Sequence, residues 1–335
     1  MAPRISVLLP YRNAAPTLEE ALDGVLDQRG AGDVEVLAID DGSTDGGRDV
    51  VDRLAARHAG LHSLASAAPG LVGALTTGLL HCRAPFVARM DADDVCLPGR
   101  FAACADMLER QPELAVAATQ VEAFPDEALA DGMRRYVAWQ NRLVSAADHA
   151  RELFIESPLC HPSVMIRREA LDRVGPWREG DFPEDYDLWL RLDGAGWDLA
   201  KVPAILLRWR HASGRATFAD PRYGRDRFVA VKAPHLAHPL RAIGRPVAIW
   251  GAGRTGKRLA RELEHSGLQA HRFIDIDPKK IGGTARGRPV ESSASIRAGG
   301  ECVVVAVSQW GARDLVRQQL VKARCREGVD FLCAA

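Results

Sequence analysis

Three carboxylates close a short apolar run at Met90-Asp91-Ala92-Asp93-Asp94. Phe86, Val87 and Ala88 lead into them and read as a buried strand, and Pro98-Gly99 follows as a turn. Residues two apart at a strand end lie on the same side, so Asp91 and Asp93 aim at one point. Carboxylates that close repel unless a cation sits between them, and hard oxygen ligands suit Mg²⁺ or Mn²⁺. A solvated acidic loop is the competing reading of the triplet taken alone. A second signal stands far along the chain. Gly251-Ala252-Gly253-Arg254-Thr255-Gly256 follows an apolar run and opens a helical pattern, and Phe273-Ile274-Asp275 ends the next strand. That is a dinucleotide fingerprint with an acid at about the right distance, which makes Gly251, Gly253, Gly256 and Asp275 a candidate nucleotide site. The same residues spell Gly251-xxxx-Gly256-Lys257, but Arg258 stands where a P-loop needs Ser or Thr for magnesium, which excludes that motif. Tight strand-to-helix packing is the competing reading of the glycines.

The elements that must position these groups alternate. Ile5–Leu9, closed by Pro10, reads as a buried strand. Thr17 with Glu20 three residues on has the spacing of a capping box, and Leu18, Ala21, Leu22, Val25 and Leu26 form the helical stripe behind it. Val34–Ile39 is a strand ending in Asp40-Asp41-Gly42-Ser43, followed by a helix over about Asp45–Ala59. A strand near Leu61–Ala65, a helix near Val72–His81 and the strand into the acidic triplet complete the series. Such alternation predicts a parallel sheet, with ligands beyond the carboxyl ends of its strands. Residues 124–151 lack clear periodicity and read as a lid or variable binding segment. Asp185–Leu192 reads as a helix, Ala212–Asp220 as irregular chain, and His235–Gly244, with its prolines, as a linker. From Pro246 the alternation restarts, with strands at Val247–Trp250, His271–Ile274 and Val303–Val307 and a helix at Thr255–His265.

The 335 residues suggest two domains. Lys plus Arg and Asp plus Glu both number 44, so no global field favours nucleic acid or an anionic membrane. Seven cysteines are scattered and form no CxxC pair, which predicts reduced thiols and a cytoplasmic location. Met1-Ala2-Pro3-Arg4-Ile5 carries no signal-peptide apolar core, and no run approaches the ~20 apolar residues of a membrane span.

Several stretches together resemble the family 2 glycosyltransferases, the inverting group with the GT-A fold, over roughly residues 4–213. They are Ile5-Ser6-Val7-Leu8-Leu9-Pro10-Tyr11-Arg12-Asn13, then Val36-Leu37-Ala38-Ile39-Asp40-Asp41-Gly42-Ser43-Thr44-Asp45-Gly46. Gly70-Leu71 through Gly78-Leu79 follows, with Arg89-Met90-Asp91-Ala92-Asp93-Asp94 and Leu97-Pro98-Gly99-Arg100-Phe101. Further matches are His161-Pro162-Ser163-Val164-Met165, Pro183-Glu184-Asp185-Tyr186-Asp187-Leu188-Trp189-Leu190-Arg191 and Arg208-Trp209-Arg210-His211-Ala212-Ser213. The resemblance implies a nucleotide-sugar donor bound by Pro10, Tyr11, Arg12, Asn13, Asp41, Asp91 and Arg210. It implies Mn²⁺ or Mg²⁺ held by Asp91 and Asp93, with His211 completing the shell. It also implies Asp185 as the base that deprotonates the acceptor hydroxyl. Asp275-Ile276-Asp277-Pro278-Lys279-Lys280 and Gly287-Arg288-Pro289-Val290 resemble small Rossmann-like domains appended to sugar-modifying enzymes.

The expected architecture is α/β: a GT-A nucleotide-diphospho-sugar transferase domain over 1–215, mostly parallel sheet with flanking helices. A linker or helical connection follows over 216–244, then a small Rossmann-like domain over 245–335 that takes a nucleotide. The expected activity is metal-assisted inverting transfer from a nucleotide-diphosphate sugar, UDP-sugar first, to a hydroxyl of a glycan or lipid-linked acceptor in polysaccharide biosynthesis. No nucleic-acid partner and no transmembrane segment are expected, and peripheral membrane association is allowed. Two other classes remain as alternatives. One is an NAD(P)-dependent oxidoreductase working at the C-terminal fingerprint, which leaves the N-terminal aspartates unexplained. The other is a non-catalytic nucleotide-sugar-binding protein, which leaves Asp185 unexplained.

Overall fold

The computed structural model describes residues 2–211 and 220–335 and divides into two compact units. The first comprises residues 1–149, 158–180 and 191–220; the second comprises 150–157, 181–190 and 221–335. The irregular stretch expected around Ala212–Asp220, with Ala212 and Ser213 of the basic segment, falls outside the described residues except for Asp220.

The first unit is built on eight strands: β1 (Ile5–Tyr11), β2 (Val34–Asp40), β3 (Leu61–Ala65), β4 (Phe86–Arg89), β5 (Val95–Cys96), β6 (Leu114–Phe124), β7 (Met165–Arg167) and β8 (Asp198–Arg210). They lie in the order β3-β2-β1-β4-β7-β6-β8-β5. The pairs among β1 to β4 are parallel, as is β6 with β8, whereas β7 runs antiparallel to both neighbours and β5 runs antiparallel to β8. Their apolar runs are buried on both faces, the signature of a sheet covered by helices. Those helices include α1 (Ala15–Leu26), α2 (Gly47–Ala55), α3 (Leu71–His81) and α4 (Arg100–Arg110). At Gly78 a Cβ would meet the side-chain ends of Leu8 at 2.7 Å and Ile39 at 2.8 Å, so a larger residue would have to push them aside for α3 to lie this close to the sheet.

Several expected boundaries are corrected. Strand β1 runs through Pro10 to Tyr11, two residues past the expected end at Leu9. The Leu8 carbonyl takes the amide of Met90 and the Tyr11 carbonyl takes that of Asp41, so Pro10 faces the β4 side, where pairing has already ended. A missing N–H costs nothing there. Thr17 is not a helix cap: α1 starts at Ala15, and the Thr17 hydroxyl donates to the Ala92 carbonyl at 2.9 Å. The second helix is shorter than expected because Asp45 lies ahead of it, accepting the amides of Ala15 and Gly47. Residues 124–151 are largely helical, as α5 (Asp131–Arg142) and α6 (Ala146–Glu152).

The second unit holds a six-stranded sheet of β9 (Val247–Trp250), β10 (Ala270–Asp275), β11 (Thr284–Ala285), β12 (Arg288–Ser292), β13 (Cys302–Val305) and β14 (Phe331–Cys333). The order is β11-β12-β10-β9-β13-β14, parallel except for the β11–β12 pair. The Glu-Asp segment opens α8 (Glu184–Gly194) after α7 (Arg168–Val174). Where the prolines suggested a linker over His235–Gly244, the chain forms α9 (Arg225–Ile243), with Pro234 and Pro239 inside it. Each proline removes one N–H. Packing overrides that loss, because Val229, Lys232, Ala233, Leu236, Ala237 and Leu240 fall on one buried stripe at helical spacing. Helices α10 (Arg254–His265) and α11 (Ala312–Lys322) follow. No helix among the described residues is long and apolar enough to cross a membrane.

Candidate active site

In the first unit, three parallel strands end side by side. Tyr11 of β1 pairs with Asp40 of β2, and Leu8 of β1 with Arg89 of β4, so residues 10–13, 40–45 and 89–94 share one edge. Asp41 sits half-buried there. Its Oδ1 accepts the Gly70 amide at 2.8 Å and its Oδ2 lies 3.7 Å from the exposed Arg12 guanidinium. Asn13 adopts φ 50°, a left-handed conformation asparagine tolerates. It locks the neighbouring turn, its Oδ1 accepting the Thr44 amide at 2.8 Å and its own amide donating to Ser43 Oγ at 3.1 Å. Pro10 is buried at the strand end. Tyr11 departs from the expected donor set. Its side chain is 3 % exposed within the apolar core, and burial, then the nearby Asp40 charge, drives its hydroxyl pKa up.

The acidic loop follows β4. Oxygen atoms of Asp91, Asp93 and Asp94 all lie within 4.8 Å of one another. Asp91 and Asp93 are half-exposed while Asp94 is buried. Three convergent carboxylates are the donor set a hard divalent cation requires, so the residues fit Mn²⁺ or Mg²⁺. Buried Arg89 pairs with Asp91, keeping that carboxylate turned in. Asp94 Oδ1 accepts the amide of Arg210 at 2.7 Å, which fastens the end of β8 to the loop. The Arg210 guanidinium donates to the Asp93 carbonyl at 2.6 Å, pairs with Glu20 and lies 4.6 Å from the centre of the Phe124 ring. His211 lies outside that 4.8 Å group, and its backbone amide donates to the Phe124 carbonyl at 2.7 Å.

Two residues named in the sequence motifs gain roles no spacing rule exposes. Arg100, 1 % exposed, donates to the Arg89 carbonyl at 2.7 Å and to the Pro162 carbonyl, bracing the strand that carries the triplet. Thr17, through Ala92, pins the same loop to α1. His161 accepts the Trp177 indole N–H at 2.9 Å, and burial, helped by Arg89, holds it neutral.

In the second unit, Asp185 lies at the start of α8 and is half-exposed, between buried Glu184 and buried Tyr186. Its Oδ1 accepts the Tyr186 amide at 2.7 Å. Burial separates the two adjacent acids. Glu184, 1 % exposed, receives the Tyr223 hydroxyl on both oxygens, at 3.0 and 2.8 Å, so Asp185 is the one of the pair that reaches solvent. A carboxylate at a helix start also gains from the helix dipole.

The glycine loop after β9 has geometry of its own. A Cβ at Gly256 would lie 1.8 Å from the Gly251 carbonyl oxygen, and one at Gly251 would lie 2.7 Å from that of Ala306. These two glycines are required by packing. Gly253 has nothing within 4 Å of a Cβ position. Asp275 is buried, and its carboxylate accepts the Ala252 amide at 2.9 Å, the Asp277 amide at 3.0 Å and Lys280 Nζ at 3.1 Å. Burial alone would raise its pKa, but these donors outweigh it and the net shift is downward.

The pattern of the family described as Glycosyl transferase family 2 matches residues 6–175, just over half of the chain. The chain belongs to that family. Among family relatives, the amylovoran biosynthesis glycosyltransferase AmsE of Erwinia amylovora is 33 % identical over 144 residues, 43 % of this chain and 52 % of the relative. An Escherichia coli protein named UDP-Gal:alpha-D-GlcNAc-diphosphoundecaprenol beta-1,3-galactosyltransferase is 27 % identical over 217 residues, 64 % of this chain and 76 % of the relative. The chain spans about half the length of the Erwinia relative and of an uncharacterized glycosyltransferase from Haemophilus influenzae. Residues 1–349 of TarS from S. aureus, solved in complex with UDP-GlcNAc, superpose with a TM-score of 0.56 at 15 % identity, covering 79 % of this chain and 73 % of that one. That likeness concerns the fold, which is the GT-A arrangement.

Proposed function

We propose that this family 2 member is a metal-assisted, inverting glycosyltransferase that moves a sugar from a nucleotide-diphosphate donor, UDP-sugar first, to a hydroxyl in polysaccharide biosynthesis. The observation that carries the reading is the convergence of Asp91, Asp93 and Asp94 at the strand edge that also holds Asp41. Asp41 accepts a hydrogen bond from the base, with Pro10 and Arg12 beside it. Arg210 meets the diphosphate. Asp91 and Asp93 hold Mn²⁺ or Mg²⁺, which when bound supplies Lewis acidity to the departing diphosphate. Asp185 takes the acceptor hydroxyl proton. The name of the E. coli relative, which specifies a diphosphoundecaprenol-linked sugar, supports a lipid-linked acceptor. An oxidoreductase reading gains no support, because the Asp275 carboxylate is engaged by its own backbone and Lys280.

A thermal-shift panel of UDP-, GDP- and dTDP-sugars and NAD(H), each with and without Mn²⁺, tests the proposal. A ligand at 100 times its dissociation constant adds about 2.7 kcal/mol, so a true donor raises the midpoint, and does so only with the cation present. No shift with any nucleotide sugar would overturn the reading.

A further inference from the structure

Asp185 lies between two firmly held neighbours. The residues on either side of it are buried and gripped by parts of the chain distant in sequence but within the same unit. Glu184 is held on both carboxylate oxygens by the Tyr223 hydroxyl. Tyr186 is fully buried, its hydroxyl donates to the Leu153 carbonyl at 2.7 Å, and its ring lies 5.4 Å from that of Phe228. Tyr223 and Phe228 flank the start of α9, which is anchored in turn. Lys232 Nζ donates to the Ile155 carbonyl at 3.1 Å, Asp226 pairs with Arg258 of α10 at 2.5 Å, and Arg227 pairs with Asp181. Glu152, beside the same short segment, is bound by Arg317 of α11 at 2.6 Å. The first turn of α8 is thus set in a frame supplied by residues 221–335.

The Tyr223 bond is built to hold. A buried carboxylate is costly without a donor, and burial, reinforced by the charges of Glu184 and Asp185, keeps the Tyr223 hydroxyl protonated far above neutral pH. The phenol therefore always donates. Glu184 cannot swing while it is held, and Asp185, one residue on, inherits that fixed backbone.

We infer that Tyr223 is a positioning residue for Asp185, and that the C-terminal unit acts in the transfer reaction by bracing the first turn of α8. The inference rests on the reading of Asp185 as the base. Positioning errors of about 1 Å cost up to ~10²-fold in rate, so the brace is worth a measurable part of turnover.

The test uses the full-length protein with Mn²⁺. Tyr223→Phe removes one oxygen atom. Its hydrolysis of UDP-galactose should fall about tenfold or more while its affinity for UDP stays near the parent's, and its thermal midpoint should fall because the buried Glu184 carboxylate loses this donor. Amide hydrogen exchange over residues 184–188 should quicken. Unchanged exchange there overturns the inference, as does a rate loss matched by an equal loss of UDP affinity. Should Tyr223→Phe fail to fold, Phe228→Leu, which withdraws only the ring against Tyr186, is read by the same measurements and judged by the same outcomes. Asp185→Asn runs in parallel. If it keeps the parent's rate, the base assignment falls, while the exchange result still decides whether Tyr223 braces the turn. If Asp185→Asn is inactive and Tyr223→Phe is fully active with unchanged exchange, only the bracing falls.

Discussion

Two aspartate-bearing strand ends invite comparison: the loop after β4 and the end of β10. Both lie at the carboxyl edge of parallel strands, where ligands bind in folds of this kind. After β4, three carboxylates converge, with the Arg89 guanidinium on Asp91, the Arg210 amide on Asp94 and the Arg210 guanidinium on the Asp93 carbonyl. After β10, Asp275 is matched by Lys280 and by two backbone amides, so its charge is already answered. The same topological address carries a cluster of carboxylates in one unit and a structural tie in the other. What differs is how many carboxylates meet at one point, and such a meeting is what the cation of the proposed function would neutralise.

The comparison breaks most visibly at the acidic loop. Asp93→Asn removes one charged oxygen donor and should lower transfer by at least about a hundredfold, beyond the 10–100-fold known for residues that only support a metal ligand. Its thermal midpoint should hold or rise, because repulsion among the carboxylates is relieved. EDTA should act on the parent in the same way, and full turnover in EDTA would end the metal proposal.

Next in size is Gly256→Val, whose Cβ would collide with the Gly251 carbonyl. Urea unfolding should show a loss of about 3 kcal/mol or more; a variant as stable as the parent would mean the loop is slack. Asp275→Asn should cost less, about 1–3 kcal/mol, because an amide cannot accept on both sides. It also carries a pH signature. The folded carboxyl titrates below its ordinary value of 3.8, so its stabilisation is complete above that value and fades as pH falls through the folded pKa. The variant should lack that acid-side decline, and an unchanged slope below pH 4 would refute the tie.

Smallest of all is Gly253→Val, which meets nothing and should move stability by no more than about 0.5 kcal/mol. It sharpens the contrast. Any nucleotide-induced shift that arises in the second unit should vanish in this variant while sugar transfer continues. Loss of transfer in a folded Gly253→Val protein would join the two sites that the charge argument separates.

Much of the first unit was legible because parallel strands write themselves as apolar runs with punctuation. Phe86 to Ala88 followed by three acids leaves little choice of element, and the structure ends β4 one residue later, at Arg89. The convergence of Asp91 and Asp93 follows from strand geometry, but the burial of Asp94 does not, since it depends on β8 arriving from far along the chain. Long-range partners account for the other misses. Thr17 has cap spacing, yet its hydroxyl is taken by Ala92. Pro234 and Pro239 signal an interruption, yet a six-residue buried stripe keeps α9 intact around them. Tyr11 stands in a donor-binding motif, yet the pleat turns it into the core. Local rules read the backbone well and read the company a side chain keeps poorly.

The scattered make-up of the second unit has a consequence in time. Residues 150–157 and 181–190 belong with 221–335, so they leave the ribosome long before the frame that receives them exists. At 5–20 residues per second, synthesis from Leu190 to Phe228 takes on the order of a few seconds. Throughout that interval the strand edge with Asp41 and the acidic loop already has its full sequence, while the turn bearing Asp185 waits for Tyr223 and Phe228. The first turn of α8 would thus take its final packing later than the rest of its own helix is made, once residues 221–228 have emerged.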